Sequence, residues 1–151
     1  MKIISHRGNL SGPKTAIYGE NNWKSIIHCL DLGFDVEIDI WRLDDRFYLG
    51  HDVPQFELTF AVLKKYKEKL WIHCKNKRAV VELREYNEFN FFWHENDLMT
   101  LTSRNDIWVF PGNQPIEDSV AVLPEIHDDD TTKCVAICTD YALNYKLNED
   151  K

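Results

Sequence analysis

The sequence predicts an α/β fold in which parallel strands are joined by helical crossovers. Strand-like runs recur along the chain, and helical patterns separate the early ones. The first two-thirds therefore reads β-α-β-(β)-α-β-α-β. Beyond residue 98 strands follow one another through short links rich in Gly, Pro and Asp, so a barrel would close there with stripped connections.

The first strand is expected at 2–6. Asn22 is placed to cap a helix running to about Leu32, with Gly33 just past its end. The next strand, 34–41, alternates: Asp35, Glu37 and Asp39 share one face, and Val36, Ile38 and Ile40 the other. A strand at 46–51 follows. FELTFAVLKKYKEKL, 56–70, carries apolar residues at 56, 60, 63, 66 and 70 with lysines opposite, which predicts an amphipathic helix. In the strand 70–75, Trp71, His73 and Lys75 share one face, and Leu70, Ile72 and Cys74 the other. In both alternating strands the apolar face should meet helices and the polar face should point inward. A further helical pattern covers 77–88. Strands are then expected at 89–94, 99–102, 107–110, 120–124 and 134–140, with Ser103-Arg104-Asn105-Asp106 as a hairpin turn. Residues 1–144 are predicted to form one domain, and 145–151 a polar tail.

Composition narrows the class. With 151 residues, 44% of them hydrophobic, the chain can bury a single core. No apolar run approaches the ~20 residues of a membrane span. The N-terminus enters a strand directly, without a signal-peptide pattern, which predicts a cytoplasmic chain. Cys29, Cys74, Cys134 and Cys138 are expected to be reduced. The last two lie roughly 13 Å apart if they share a strand, beyond disulfide reach. A net charge of −7 disfavours nucleic acid and stable membrane association. It leaves room for a small anionic substrate beside a metal ion.

Three motifs carry the chemistry: His6-Arg7-Gly8, Glu37-x-Asp39 and His51-Asp52. Each ends a strand-like stretch, so all three can meet at one end of a sheet. Two imidazoles that titrate near neutrality suit an acid–base pair. Paired carboxylates on one strand face suit a hard divalent cation. Arg7 offers a bidentate fork for phosphate oxygens or a partner for Glu20. His73 and Lys75 add a third metal ligand and a second phosphate contact. Together these groups suit phosphodiester cleavage.

These motifs resemble the glycerophosphodiester phosphodiesterases, within the phospholipase-C-like phosphodiesterase barrels. The family pattern is matched by His6-Arg7-Gly8, Glu20-Asn21, Gly33 through Glu37 and Asp39, His51-Asp52, His73-x-Lys75, and Thr139-Asp140-Tyr141. The resemblance is strongest over residues 3–76. It implies a minimal or irregular (β/α)8 TIM-type barrel with helices missing in the C-terminal third. It also implies a metal-dependent phosphoric diester hydrolase acting on a small glycerophosphodiester-like substrate. His6 and His51 would be catalytic, Arg7 and Lys75 would bind phosphate, and Glu37, Asp39 and His73 would hold the metal. Glu20 and Asn21 would support the site. His73 stands where the family places an acidic ligand, which tilts the cation toward Mg²⁺ rather than Ca²⁺ or Mn²⁺. So short a barrel predicts an open site, which a second copy in a homodimer would cover. Two alternatives stay open: a cyclising lyase related to sphingomyelinase D or phospholipase C, and a non-catalytic barrel that binds a phosphorylated sugar or headgroup.

Overall fold

The computed structural model describes residues 1–149. Ten strands form one curled sheet: β1 Lys2–His6, β2 Asp35–Leu43, β3 Arg46–Leu49, β4 Phe56–Leu58, β5 Leu70–Cys74, β6 Asn90–Phe92, β7 Met99–Leu101, β8 Ile107–Val109, β9 Ser119–Val122 and β10 Ala136–Thr139. Four α-helices accompany them: α1 Trp23–Asp31, α2 Phe60–Tyr66, α3 Lys77–Leu83 and α4 Ala142–Glu149. Strands β8, β9, β10, β1, β2, β5 and β6 run parallel in that spatial order. Strands β3, β4 and β7 are antiparallel additions.

This is a mixed-sheet half-barrel, and the expected (β/α)8 TIM-type barrel is not formed. The physical reason is chain length. Eight complete β/α units take ~250 residues, and this chain has 151. Between β8 and β9 no helix is present, and between β9 and β10 only a 3₁₀ turn, Pro124–Ile126. Without a full outer ring the sheet curls but does not close by strand pairing. Among the described residues no ladder joins β6 to β7 or β8. Separate bonds span that gap instead: Ser103 N donates to the Phe91 carbonyl at 2.8 Å, and Asn90 Nδ2 to Asp106 Oδ2 at 3.1 Å.

The alternation read from the sequence sorts the core into two layers. Val36, Ile38, Ile40, Leu70, Ile72 and Cys74 face outward into a layer with Ile26 and Leu30 of α1, Leu63 of α2 and Leu83 of α3. Ile4, Trp71, Phe92, Trp108, Val120 and Val122 pack inside the curl. There the Phe92 and Trp108 rings lie 4.6 Å apart. Each large apolar side chain buried this way contributes about 1.5–3 kcal/mol.

Caps explain most helix boundaries. Asn22 Oδ1 accepts from Lys24 N at 3.0 Å, and Gly33 takes φ +93° just beyond α1. Asn76 accepts from Ala79 N at 3.1 Å to start α3, while its Nδ2 donates to the Arg42 carbonyl at 2.8 Å, tying the helix to β2. Two sequence expectations need correction. Residues 56–58 pair with β3 as a strand, and the helix starts only after Thr59, which caps it. The expected polar tail forms α4 through Glu149. Ala142, Leu143 and Tyr145 pack on the outer layer. Residues 150 and 151 lie outside the described residues. All four cysteines are free thiols, and no described helix is long and apolar enough to cross a membrane.

Candidate active site

The parallel register brings strand ends together. His6 lies beside Glu37, Asp39 beside His73, and Ser5 beside Thr139. One cavity of about 600 Å³ opens at this end, lined by His6, Arg7, Glu37, His51, His73 and Lys75 among others. Every catalytic, phosphate-binding and metal residue expected from the sequence therefore lines it, except Asp39, which is fully buried beneath.

A left-handed turn after β1 aims Arg7. Arg7 has φ +56° and Gly8 φ +89°. The Arg7 N–H donates to the Glu37 carbonyl, and its own carbonyl accepts from Asn21 N, both at 3.0 Å. A side chain at residue 8 would place Cβ 3.1 Å from Ser25 Cβ, so glycine suits the turn twice over.

Asp39 is the hub. Its Oδ2 meets Arg7 Nε at 3.1 Å, Asn21 Nδ2 at 2.9 Å and His51 Nδ1 at 3.4 Å. Its Oδ1 faces His73 Nδ1 at 3.1 Å and Lys75 Nζ at 4.0 Å. Burial opposes the carboxylate, but the His51 and His73 rings and the Arg7 charge outweigh it and hold the pKa well below the usual range. Glu37 behaves oppositely. Burial first, then the adjacent Asp39 charge, push its carboxyl up.

His6 sits between two carboxylates. Its Nδ1 lies 2.7 Å from Asp140 Oδ1, and its Nε2 lies 3.8 Å from Glu37 Oε2. Burial alone would lower its pKa. The Asp140 hydrogen bond and the Glu37 charge reverse that and raise it above 6.5. Asp140 is itself fixed, since its Oδ1 accepts from Asn9 Nδ2 at 2.8 Å and its N–H donates to Glu125 Oε1 at 3.1 Å. His51 is more open, with its side chain 38% exposed. Its Nε2 lies 3.3 Å from Arg7 Nη2. A guanidinium only donates, so this contact requires Nε2 to accept.

Glu37, Asp39 and His73 also form a cation-sized cluster. One ligand atom from each lies within 4.8 Å of the others. His73 Nε2 faces the His94 carbonyl at 3.0 Å and must donate to it. With both nitrogens protonated the ring donates to Asp39 Oδ1 through Nδ1, whereas a neutral ring would turn an Nδ1 lone pair toward that carboxylate, and a cation between them would take the place of the Nδ1 proton. Glu37 Oε2 and Asp39 Oδ1 are buried without hydrogen-bond partners, which fits the same group.

Glu20 and Asn21 stand behind the site. Glu20 Oε2 is 3.6 Å from Arg7 Nη1, and Asn21 clasps Asp39 through side chain and backbone, as Asp39 N donates to Asn21 Oδ1 at 2.9 Å. Arg7 itself is engaged by both Asp39 and Glu20.

Sequence reasoning assigned no role to Asp140, Asn9 or Glu125. Asp140 lies in the Thr139-Asp140-Tyr141 run, and its position just past β10, the parallel neighbour of β1, was the available signal. His94, outside the set of site residues expected from the sequence, also lines the cavity. Its ring lies 4.4 Å from Phe110 and 6.1 Å from His73, and burial lowers its pKa. No protein-family model matches this chain, and no curated protein or solved structure matches it.

Proposed function

We propose that this cavity cleaves phosphodiesters, with His6 as general acid, His51 as general base and a divalent cation held by Glu37, Asp39 and His73. The resemblance of the motifs to glycerophosphodiester phosphodiesterases points the same way. The observation that carries the reading is His6, clamped by Asp140, lining the same cavity as His51 and Glu37, with Asp39 buried beneath. A buried imidazole whose pKa is raised by the Asp140 hydrogen bond and the Glu37 charge is suited to giving a proton to a leaving alkoxide.

His51 takes the proton of the attacking hydroxyl through Nε2, once the incoming phosphate draws the Arg7 guanidinium away from that nitrogen. The attacking oxygen bonds to phosphorus, the bond to the departing alcohol breaks, and His6 protonates that alcohol. Arg7 and Lys75 orient the phosphate oxygens. Two carboxylates and an imidazole suit Mg²⁺, with Mn²⁺ acceptable. When bound, such a cation offsets phosphate charge and acidifies the attacking hydroxyl. Water as attacker gives a monoester, and a neighbouring substrate hydroxyl gives a cyclic phosphate.

The test is release of benzyl alcohol from dibenzyl phosphate, whose alkoxide leaving group needs a proton, with and without EDTA, by wild type and His6→Ala. Activity that requires the cation and His6 is expected. Activity indifferent to EDTA, or equal in the variant, refutes the mechanism.

A further inference from the structure

The cavity has two unlike walls. One is the ionic wall already described. The other comes from β6, β8 and the loops after β6, β8 and β9, and Phe92, Trp93, Trp108, Phe110 and Ile126 line it. Trp93 is 37% exposed, Phe110 39% and Ile126 58%, so large apolar side chains ring the mouth without cover. His94 is set into this wall with its side chain only 4% exposed. Among the described residues neither ring nitrogen has a hydrogen-bond partner, and the Asp97 carboxylate stands 3.8 Å from Nδ1. A buried imidazole with no partner at either nitrogen is costly unless a ligand completes it. In any protonation state the ring keeps at least one N–H donor.

Building on the phosphodiester reading of the same site, we infer that this wall receives a ring-bearing alcohol group of the substrate, and that His94 hydrogen-bonds a polar atom on that ring. Flat apolar side chains match a flat apolar group. A small polyol would bring several hydroxyls against a wall whose other polar side chains, Glu95 and His127, stand at the exposed rim. Unpaired hydroxyls there would lose water without compensation. The His94 carbonyl accepts from His73 Nε2 at 3.0 Å, so the wall is tied to the metal cluster and the ring lies next to the phosphate. A cavity of about 600 Å³ holds an aryl phosphate with room to spare. His94 is thus a specificity-determining residue.

The test is calorimetric binding, in saturating Mg²⁺, of inorganic phosphate, glycerol 3-phosphate, phenyl phosphate and the three hydroxyphenyl phosphates. Wild type should bind phenyl phosphate about tenfold more tightly than glycerol 3-phosphate. The best hydroxyphenyl phosphate should gain roughly fivefold more. His94→Phe should lose that second gain and keep inorganic phosphate. Trp93→Ala, at an exposed position that does not threaten folding, should weaken the aryl phosphates and leave inorganic phosphate and glycerol 3-phosphate unchanged. Equal or tighter binding of glycerol 3-phosphate, with phosphate binding intact, overturns the ring assignment and leaves the phosphodiester reading standing. A folded protein that binds neither inorganic phosphate nor any ester overturns both.

Discussion

The arc made by β1, β2 and β5 differs from the arc made by β8, β9 and β10 in what covers it. The first has strands of five, nine and five residues, backed by α1, α2 and α3. The second has strands of three, four and four residues, with loops in place of helices between them. Those loops are pinned by side chains: Ser119 Oγ donates to the Ile116 carbonyl at 2.7 Å, and Gln114 Nε2 donates to Ser119 Oγ at 3.0 Å. Most of the ionisable groups of the site sit on the helix-backed arc, where covering on both faces fixes them. The loop-backed arc supplies shape and apolar surface. Fixed ionic groups and apolar shape are thus divided between two parts of one sheet.

The division can be broken most visibly through activity. His6→Ala should lower kcat/KM for dibenzyl phosphate, whose alkoxide leaving group needs a proton, by about 10²–10⁴. Trp93→Ala, on the other wall, should cost no more than roughly tenfold. Equal losses would erase the distinction. Stability offers the next contrast. Leu63→Ala, under the helix layer, should cost about 2–5 kcal/mol in urea unfolding. Ile126→Ala, 58% exposed on the loop side, should stay within about 0.5 kcal/mol.

The pH dependence sharpens the comparison further, because Asp140 lies just past the last strand of the loop-backed arc and acts on His6 of the other. The His6 pKa is raised above 6.5, so the stability from this pairing is fully present below 6.5 and lost as pH rises through the folded value. Burial opposes the Asp140 carboxylate, but the His6 hydrogen bond and charge outweigh it and lower its pKa. Its share is present above 3.8 and lost as pH falls through the folded value. Asp140→Asn removes the main raising influence on His6. The alkaline limb of the pH–rate profile should shift to lower pH, and an unmoved limb would separate Asp140 from the acid role. The smallest effect is expected at Arg46→Ala. Its ion pair with Glu57 spans 3.2 Å between side chains 63% and 51% exposed. Its loss should change stability by less than about 0.5 kcal/mol and less still in high salt.

Much of the ionic wall was legible because its residues lie at the ends of alternating strands. Period two places Glu37 and Asp39 on one face, and the register then adds His73. Asp140 was not legible in the same way. Its role depends on β10 lying beside β1, a pairing of distant segments that no local pattern encodes. The half-barrel was misjudged for a related reason. Parallel strands with crossovers are consistent with many curled sheets, and closure depends on how many helices the chain can afford. Helix α4 was hidden by its polar residues, since Ala142, Leu143 and Tyr145 give too weak a stripe to stand out. His94 was hidden because an isolated histidine shows no sign of burial. Only the packed wall reveals that its nitrogens have been left without partners.

His6 and Asp140 stand 134 residues apart in the chain, yet they share one 2.7 Å hydrogen bond. For a polypeptide emerging from a ribosome, this contact must wait until residue 140 has been made. Until β10 has been synthesised and has docked beside β1, the imidazole lacks the carboxylate that raises its pKa. Closing so large a loop carries an entropic cost that local helices do not face. Partial chains therefore carry the motifs without the His6–Asp140 bond, which forms only when β10 joins the sheet.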